Sequence, residues 1–171
     1  MISKAVVEAL QKFVPVENIR LQEPMAGHTT FRIGGPADCF MQLENEEQLK
    51  KAQNYLNKVG VPFFVLGNGS NLLVKDDGYR GVILQIGQKM SRIVVQGCRI
   101  VAKAGATMSQ VAHAALEHGL TGLEFASGIP GTVGGGVVMN AGAYGGEMSQ
   151  VVTMVTVVNG EGEILELDNA T

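Results

Sequence analysis

Eight of the nineteen residues from 128 to 146 are glycine, and no other feature of the chain limits its architecture as much. Each glycine inside a helix or strand costs about 0.5–1 kcal/mol relative to alanine, so this segment is expected to avoid regular structure. A flexible linker would tolerate the glycines, but linkers are polar, whereas Ile129, Val133, Val137, Val138 and Met139 are apolar. Close approach of the backbone to something flat or charged is the simplest remaining reason for them. A second concentration, Gly67-Asn68-Gly69-Ser70-Asn71, follows an apolar run at residues 61–66. Its glycines permit positive φ and leave the amides unobstructed, and its side chains add neutral hydrogen-bonding groups, a combination that suits a diphosphate. Read alone, the pentapeptide also fits an ordinary tight turn. It is not the dinucleotide fingerprint of a doubly wound fold, because leucine holds position 72 where that pattern needs its third glycine. No GxxxxGKS/T phosphate loop occurs elsewhere.

Charge removes whole classes of partner. The 13 Lys+Arg against 16 Asp+Glu give a net charge of −3 with no basic run, so nucleic acid and anionic membrane surfaces are not expected partners. The 46% hydrophobic content supports a core, while no apolar run approaches the roughly 18 residues that a membrane span needs. The first ten residues lack the continuous apolar stretch of a secretory signal, which predicts a soluble, cytoplasmic protein. Cys39 and Cys98 are too far apart for a CxxC arrangement and read as small core or surface thiols. His113 and His118, five apart on an expected helix, do not share the face that two metal ligands need, so no metal is expected. No Ser/His/Asp or Cys/His arrangement stands out, and none of the five arginines acquires a catalytic role from its position.

Local patterns divide the chain. Ser3 caps an expected helix over residues 2–13, with Val6, Ala9, Leu10 and Phe13 on one face and Pro15 ending it. Residues 29–33 alternate like a strand before Gly34-Gly35-Pro36, and residues 39–43 follow as another. Asn45, with Gln48 three residues on, opens a helix whose buried stripe is Leu49, Ala52, Leu56 and Val59 and whose stop is Gly60. Residues 61–66 then read as a strand buried on both faces, as in a parallel βαβ unit. Apolar runs at 72–74 and 82–86 flank the turn signal Asp76-Asp77-Gly78. Residues 92–96 and 99–104 form a hairpin, Thr107 and Gln110 cap a helix carrying Val111, Ala114 and Ala115, and a last hairpin at 151–158 and 163–167 turns at Asn159-Gly160. An α/β lobe followed by a mainly antiparallel α+β lobe is predicted. Asp168, a good N-cap, has only three residues after it, so the chain is expected to stop inside a fold.

Three segments in order, residues 29–38 (TTFRIGGPAD), 66–74 (LGNGSNLLV) and 128–145 from Gly128-Ile129-Pro130-Gly131 through Asn140-Ala141-Gly142-Ala143-Tyr144-Gly145, resemble the UDP-N-acetylenolpyruvoylglucosamine reductases, flavoenzymes of peptidoglycan precursor synthesis. His28 stands where that family's pattern has asparagine. The resemblance implies an α+β, two-lobed FAD-binding fold of the vanillyl-alcohol-oxidase (PCMH) type, with the cofactor in the cleft between lobes. It divides the chain into an N-terminal helix (1–21), a first FAD-binding lobe (22–88) and an incomplete second lobe (89–171), without the substrate domain. Gly67, Asn68, Gly69, Ser70 and Asn71 would hold the diphosphate. Ile129, Pro130, Gly134, Gly135, Val138 and Gly142 would line the ribityl chain and flavin ring, with Gly131 and Asn140 also among the cofactor contacts. NADPH is the implied co-substrate and a UDP-sugar nucleotide the implied substrate of the full-length protein. The general acid serine, an assisting glutamate and an arginine are expected beyond residue 171. Two other readings stay open at this point: a different FAD-dependent oxidoreductase of the same fold, and a catalytically empty nucleotide-binding or interaction module.

Overall fold

The computed structural model describes residues 2–169. The first lobe is built on a four-stranded sheet in the spatial order β1 (Ile19–Pro24), β2 (Pro36–Leu43), β4 (Tyr79–Ile86), β3 (Phe63–Leu66). β1 is antiparallel to β2, while β2, β4 and β3 run parallel. The crossover from β2 to β3 passes through α2 (Glu46–Val59), with β4 inserted between the two strands it joins. Asn45 Oδ1 accepts from Gln48 N at 2.9 Å to start α2, and Gly60 stops it at φ +67. These are the cap and the stop that the local sequence predicts.

One face of the sheet buries Cys39, Met41, Leu43, Val82 and Leu84 beneath α2 and beneath α1 (Lys4–Leu10), which contributes Leu10. The other face buries Met25, Phe40, Leu66 and Ile83. The pleat explains this alternation, and a register shift between Ala37 and Cys39 gives β4 one extra residue there; Ala37, beyond the shift, packs in the cluster with Phe40. Buried Asp38, 3% exposed, sits at this irregularity, with the Arg80 guanidinium 2.9 Å away.

Several expectations are corrected. α1 ends at Leu10, and Pro15 instead introduces a single 3-10 turn at Val16–Asn18. β1 is an element the periodicity did not announce, because Gln22 sits at φ +51 and interrupts the alternation. Residues 29–33 form a turn, not a strand. Phe31 and Ile33, whose alternation suggested the strand, are both exposed. Residues 72–74 are likewise irregular, with Leu72 and Val74 packed against the Phe40 face. β3 is parallel as expected but lies at the sheet edge, leaving Phe64 and Val65 43% and 44% exposed instead of buried. Val59 also turns outward, one position past the end of the buried stripe.

The second lobe contains the antiparallel hairpin β5 (Ile93–Gln96) and β6 (Arg99–Ala102), then α3 (Met108–Glu117). Both arms of the Thr107–Gln110 capping box are formed. Its core is Met108, Phe125, Ala126 and Met148. The segment expected to be irregular contains a short helix, α4 (Val133–Val138). A two-residue pairing of β7 (Gly142–Ala143) with β8 (Gly146–Glu147) follows. The last hairpin joins β9 (Met154–Val158) to β10 (Ile164–Asp168). Its loop spans residues 159–163 instead of a two-residue turn, because Asn159 Oδ1 accepts from both Glu161 N and Glu163 N. The hairpin tip rests on α2: Gln53 Nε2 donates to Asn159 O at 2.6 Å and Asn57 Nδ2 to Gly160 O at 2.7 Å. Ala170 and Thr171, where the abrupt stop was expected, lie outside the described residues.

Candidate functional site

β3 ends at buried Leu66, and the chain then turns through Gly67-Asn68-Gly69-Ser70-Asn71. Gly69 takes φ +64, and a Cβ there would overlap the His28 carbonyl, so only glycine lets the loop approach the turn at residues 27–32. Thr30 N donates to Gly69 O at 3.1 Å across that contact. On its other side the loop meets the second glycine stretch. Asn68 Nδ2 donates to Pro130 O at 3.3 Å. A Cβ on Gly67 would overlap Thr132 Oγ1, and one on Gly131 would stand 3.5 Å from Ser70 Oγ. Two motifs separated by 62 residues thus form one surface. Among the described residues, no backbone acceptor takes the amides of Asn68, Gly69, Ser70 or Asn71. The loop therefore presents donors without internal partners, as an anion requires.

α4 exists despite its composition because tertiary contacts secure it. Thr132 Oγ1 accepts from Gly135 N at 3.4 Å, Val133 N donates to Ala106 O at 2.7 Å, and Gly134 N donates to Ala104 O at 2.9 Å. The glycines divide by what they face. A Cβ on Gly134 would come within 2.9 Å of Ala104 Cβ, on Gly136 within 2.8 Å of Met108 Sδ, and on Gly146 within 2.7 Å of Phe125 Cδ1. These serve close packing inside the protein, which corrects the expectation that ligand approach explains the whole stretch. Gly128 meets nothing within 4 Å, and Gly135 meets only the Thr132 hydroxyl at 3.5 Å.

The structure brings Gly67, Asn68, Gly69, Ser70 and Asn71 together with Pro130 and Gly131. Ile129 is half-buried against the second core, and Val138, at the far end of α4, is 83% exposed. Asn140 takes φ +44 and its Oδ1 accepts from Ser149 N at 2.8 Å, while Gly142 lies in β7. Thr132, Thr30 and Arg32 also adjoin the loop, and none of them takes a role from the sequence alone. A threonine followed three residues later by a free amide is a capping signal, and it could have found Thr132.

A depression of about 400 Å³ opens beside the loop, lined by Gly27, His28, Thr29, Thr30, Arg32, Asn68 and Gln85. His28 stacks on Phe40 with ring centroids 4.0 Å apart, and its Nε2 lies 2.8 Å from Glu23 Oε1. That hydrogen bond, chiefly, holds the Glu23 carboxyl below the ordinary glutamate value. A second depression of about 510 Å³ is bounded by Glu124, Phe125, Gln150 and Tyr144, the last 99% exposed at φ +53. No group of three His, Cys, Asp or Glu among the described residues is placed to hold a metal ion. No helix among them is long and apolar enough to cross a membrane.

An α/β lobe joined through two glycine-rich loops to an α+β lobe is a fold of the vanillyl-alcohol-oxidase type. p-Cresol methylhydroxylase shares this fold, with a TM-score of 0.71 over 95% of this chain and 34% of that one, at 18% identity. The chain belongs to the FAD binding domain family, whose model matches residues 37–168. It is similar to the UDP-N-acetylenolpyruvoylglucosamine reductase of Caldanaerobacter subterraneus subsp. tengcongensis, with 46% identity over 167 residues covering 98% of this chain and 55% of that protein. The crystal structure of UDP-N-acetylenolpyruvylglucosamine reductase from Thermus caldophilus aligns with a TM-score of 0.72 and 33% identity, over 89% of this chain and 52% of that one. The chain spans about half the length of the curated relatives it matches. The resemblance read from the three motifs is borne out.

Proposed function

We propose that this chain is the FAD-binding part of a cytoplasmic reductase that uses NADPH to convert UDP-N-acetylglucosamine enolpyruvate to UDP-N-acetylmuramate for peptidoglycan. The observation that carries this reading is the 46% identity to a protein of that name across 98% of the chain. The residues present fit the cofactor. Among the described residues the amides of 68–71 have no acceptor, and a Cβ at Gly135 would meet only the Thr132 hydroxyl at 3.5 Å. In this reading Gly67, Asn68, Gly69, Ser70 and Asn71 hold the diphosphate. Ile129, Pro130, Gly134, Gly135, Val138 and Gly142 line the ribityl chain and ring, the glycines offering backbone in place of bulky side chains, with Gly131 and Asn140 also among the cofactor contacts.

When bound there, FAD would supply hydride-transfer chemistry between NADPH and the enolpyruvyl group. The role of this chain's own residues is to bind and orient: the Asn68–Pro130 hydrogen bond fixes one lobe's loop against the other's, and the α4 cap at Thr132 fixes the backbone behind it. We assign residues 22–88 and 89–171 to the two lobes, preceded by the N-terminal segment 1–21. Leu10 and Val14 enter the first lobe's core, and the 21/22 boundary falls within β1.

The test is the visible absorption spectrum of the purified chain after incubation with FAD and desalting. A retained flavin band supports the reading, and NADPH oxidation dependent on the enolpyruvyl sugar nucleotide, assayed on a protein that carries this chain in full, tests the reaction. A folded chain that stays colourless argues against FAD binding by these residues.

A further inference from the structure

The turn at residues 27–32 carries one arginine, Arg32, which is exposed and stands beside the 67–71 loop. The backbone of the turn is fixed by Arg32 N donating to Thr29 O at 3.1 Å, Thr29 Oγ1 donating to Ile33 O at 3.0 Å, and Thr30 N donating to Gly69 O at 3.1 Å. Arg32 nevertheless takes φ +55, a conformation that a Cβ disfavours and that glycine would adopt without strain. Its guanidinium makes no hydrogen bond or ion pair with any described residue, whereas Arg20 pairs with Glu23 and Arg80 with Asp38. Glu23, the carboxylate adjoining this turn, is already held by His28 and Arg20. Arg32 lines the 400 Å³ depression together with Asn68, which belongs to the loop whose amides lack acceptors.

Backbone strain of this kind clusters at ligand-binding sites. We propose that Arg32, with Thr30 and Asn68, forms a phosphate subsite that extends the 67–71 loop into this depression. The proposal rests on the nucleotide-cofactor reading above. A guanidinium matches phosphate in a planar, bidentate fashion, and the carboxamides of Asn68 and Gln85 and the Thr30 hydroxyl supply neutral contacts around it. The phosphate is either the diphosphate of the flavin dinucleotide or that of a second nucleotide, and the two are separable.

The full chain and its Arg32→Gly and Arg32→Lys variants are titrated with inorganic pyrophosphate, FAD, NADPH and riboflavin, the last lacking any phosphate. Glycine relieves the strained φ, so Arg32→Gly melts at or above the parent temperature, and a loss of affinity cannot be ascribed to unfolding. Arg32→Gly is expected to weaken pyrophosphate about tenfold, as for loss of one charge-assisted contact. Arg32→Lys recovers part of that loss, riboflavin is unchanged, and the salt dependence of pyrophosphate binding becomes shallower. A parallel loss for FAD assigns the subsite to the flavin diphosphate, and a loss for NADPH with FAD unchanged assigns it to the second nucleotide. Weakened pyrophosphate binding in a chain that never retains FAD keeps the subsite and overturns the flavin reading. Equal behaviour of parent and Arg32→Gly toward all three anions, including no binding by either, overturns the subsite.

Discussion

Gly67, just past the end of β3, packs against Thr132 Oγ1, the hydroxyl that caps α4. The first lobe's glycine loop and the second lobe's short helix therefore share one atom's worth of space. Gly67→Ala must displace the threonine, break the cap, or separate the lobes. A loss of about 1–3 kcal/mol is expected, as for other overpacked sites. In Gly67→Ala/Thr132→Ala the overlapping oxygen is gone, so the double variant should unfold no earlier than Thr132→Ala alone. Denaturant titrations of the four proteins decide it, and a Gly67→Ala variant as stable as the parent sinks the argument.

The two thiols differ in environment. Burial pushes the Cys39 thiol up to about 11, with the neighbouring Asp38 charge adding to the effect. Cys98 is exposed at the β5–β6 turn. A thiol reagent at neutral pH should therefore titrate one group in the native chain and two in denaturant. Rapid reaction of both under native conditions contradicts the packing described.

Acid should destabilise the chain over a defined window. The Lys89 ammonium, mainly, and the Asn18 amide hold the Glu44 carboxyl below the ordinary value of 4.5, and the Lys103 ammonium does the same for Glu46. A carboxylate whose folded pKa is depressed contributes stability that is present above its unfolded pKa and lost as pH falls through the folded one. Thermal midpoints should hold level from neutral pH to about 5 and then decline below about 4.5. Both pairs are exposed, so high salt should flatten the decline. Lys89 is raised by Glu44, so its share is present below its ordinary value and lost as pH rises through the folded one. A Glu44→Gln variant with an unchanged acid limb counts against this assignment.

Thr107→Ala removes the hydroxyl that accepts from Gln110 N at 3.1 Å and leaves the first turn of α3 with one donor unmet. The expected cost is about 1 kcal/mol, or a melting temperature lower by roughly 2–4 °C in a protein of this size. Calorimetry of Thr107→Ala beside Thr107→Ser, which keeps the acceptor, separates the cap from the lost methyl group.

What the sequence announced was local, and what it hid was tertiary. Ser3, Asn45 and Thr107 are read correctly as caps because each acts on an amide three residues away. The glycine loops are legible for the same reason, as positions where the backbone needs freedom. Their meeting is not legible, because the Asn68–Pro130 hydrogen bond depends on how two lobes dock. α4 is invisible to propensity, since three consecutive glycines argue against a helix until Ala104 and Met108 pack against them and Ala106 O accepts from Val133 N. The false strand at residues 29–33 has the opposite cause: Phe31 and Ile33 alternate properly, but no strand lies beside them to pair with. Nothing in the sequence distinguishes Arg32 from the other arginines, because its distinction is a backbone angle and a place beside the 67–71 loop.

The contact of Gln53 with Asn159 closes a loop of 106 residues, and that of Asn57 with Gly160 one of 103. Loop-closure entropy grows with such separations, and few other bonds reward it at this point. The order of events during folding follows. The sheet with α2 and the α3 core can each condense around shorter-range neighbours, while the last hairpin arrives on α2 only after the chain between them has been arranged. The same seam should open first: amide exchange in β9 and β10 is expected to be faster than in β2 and β4, and to quicken without any loss of the sheet beneath it.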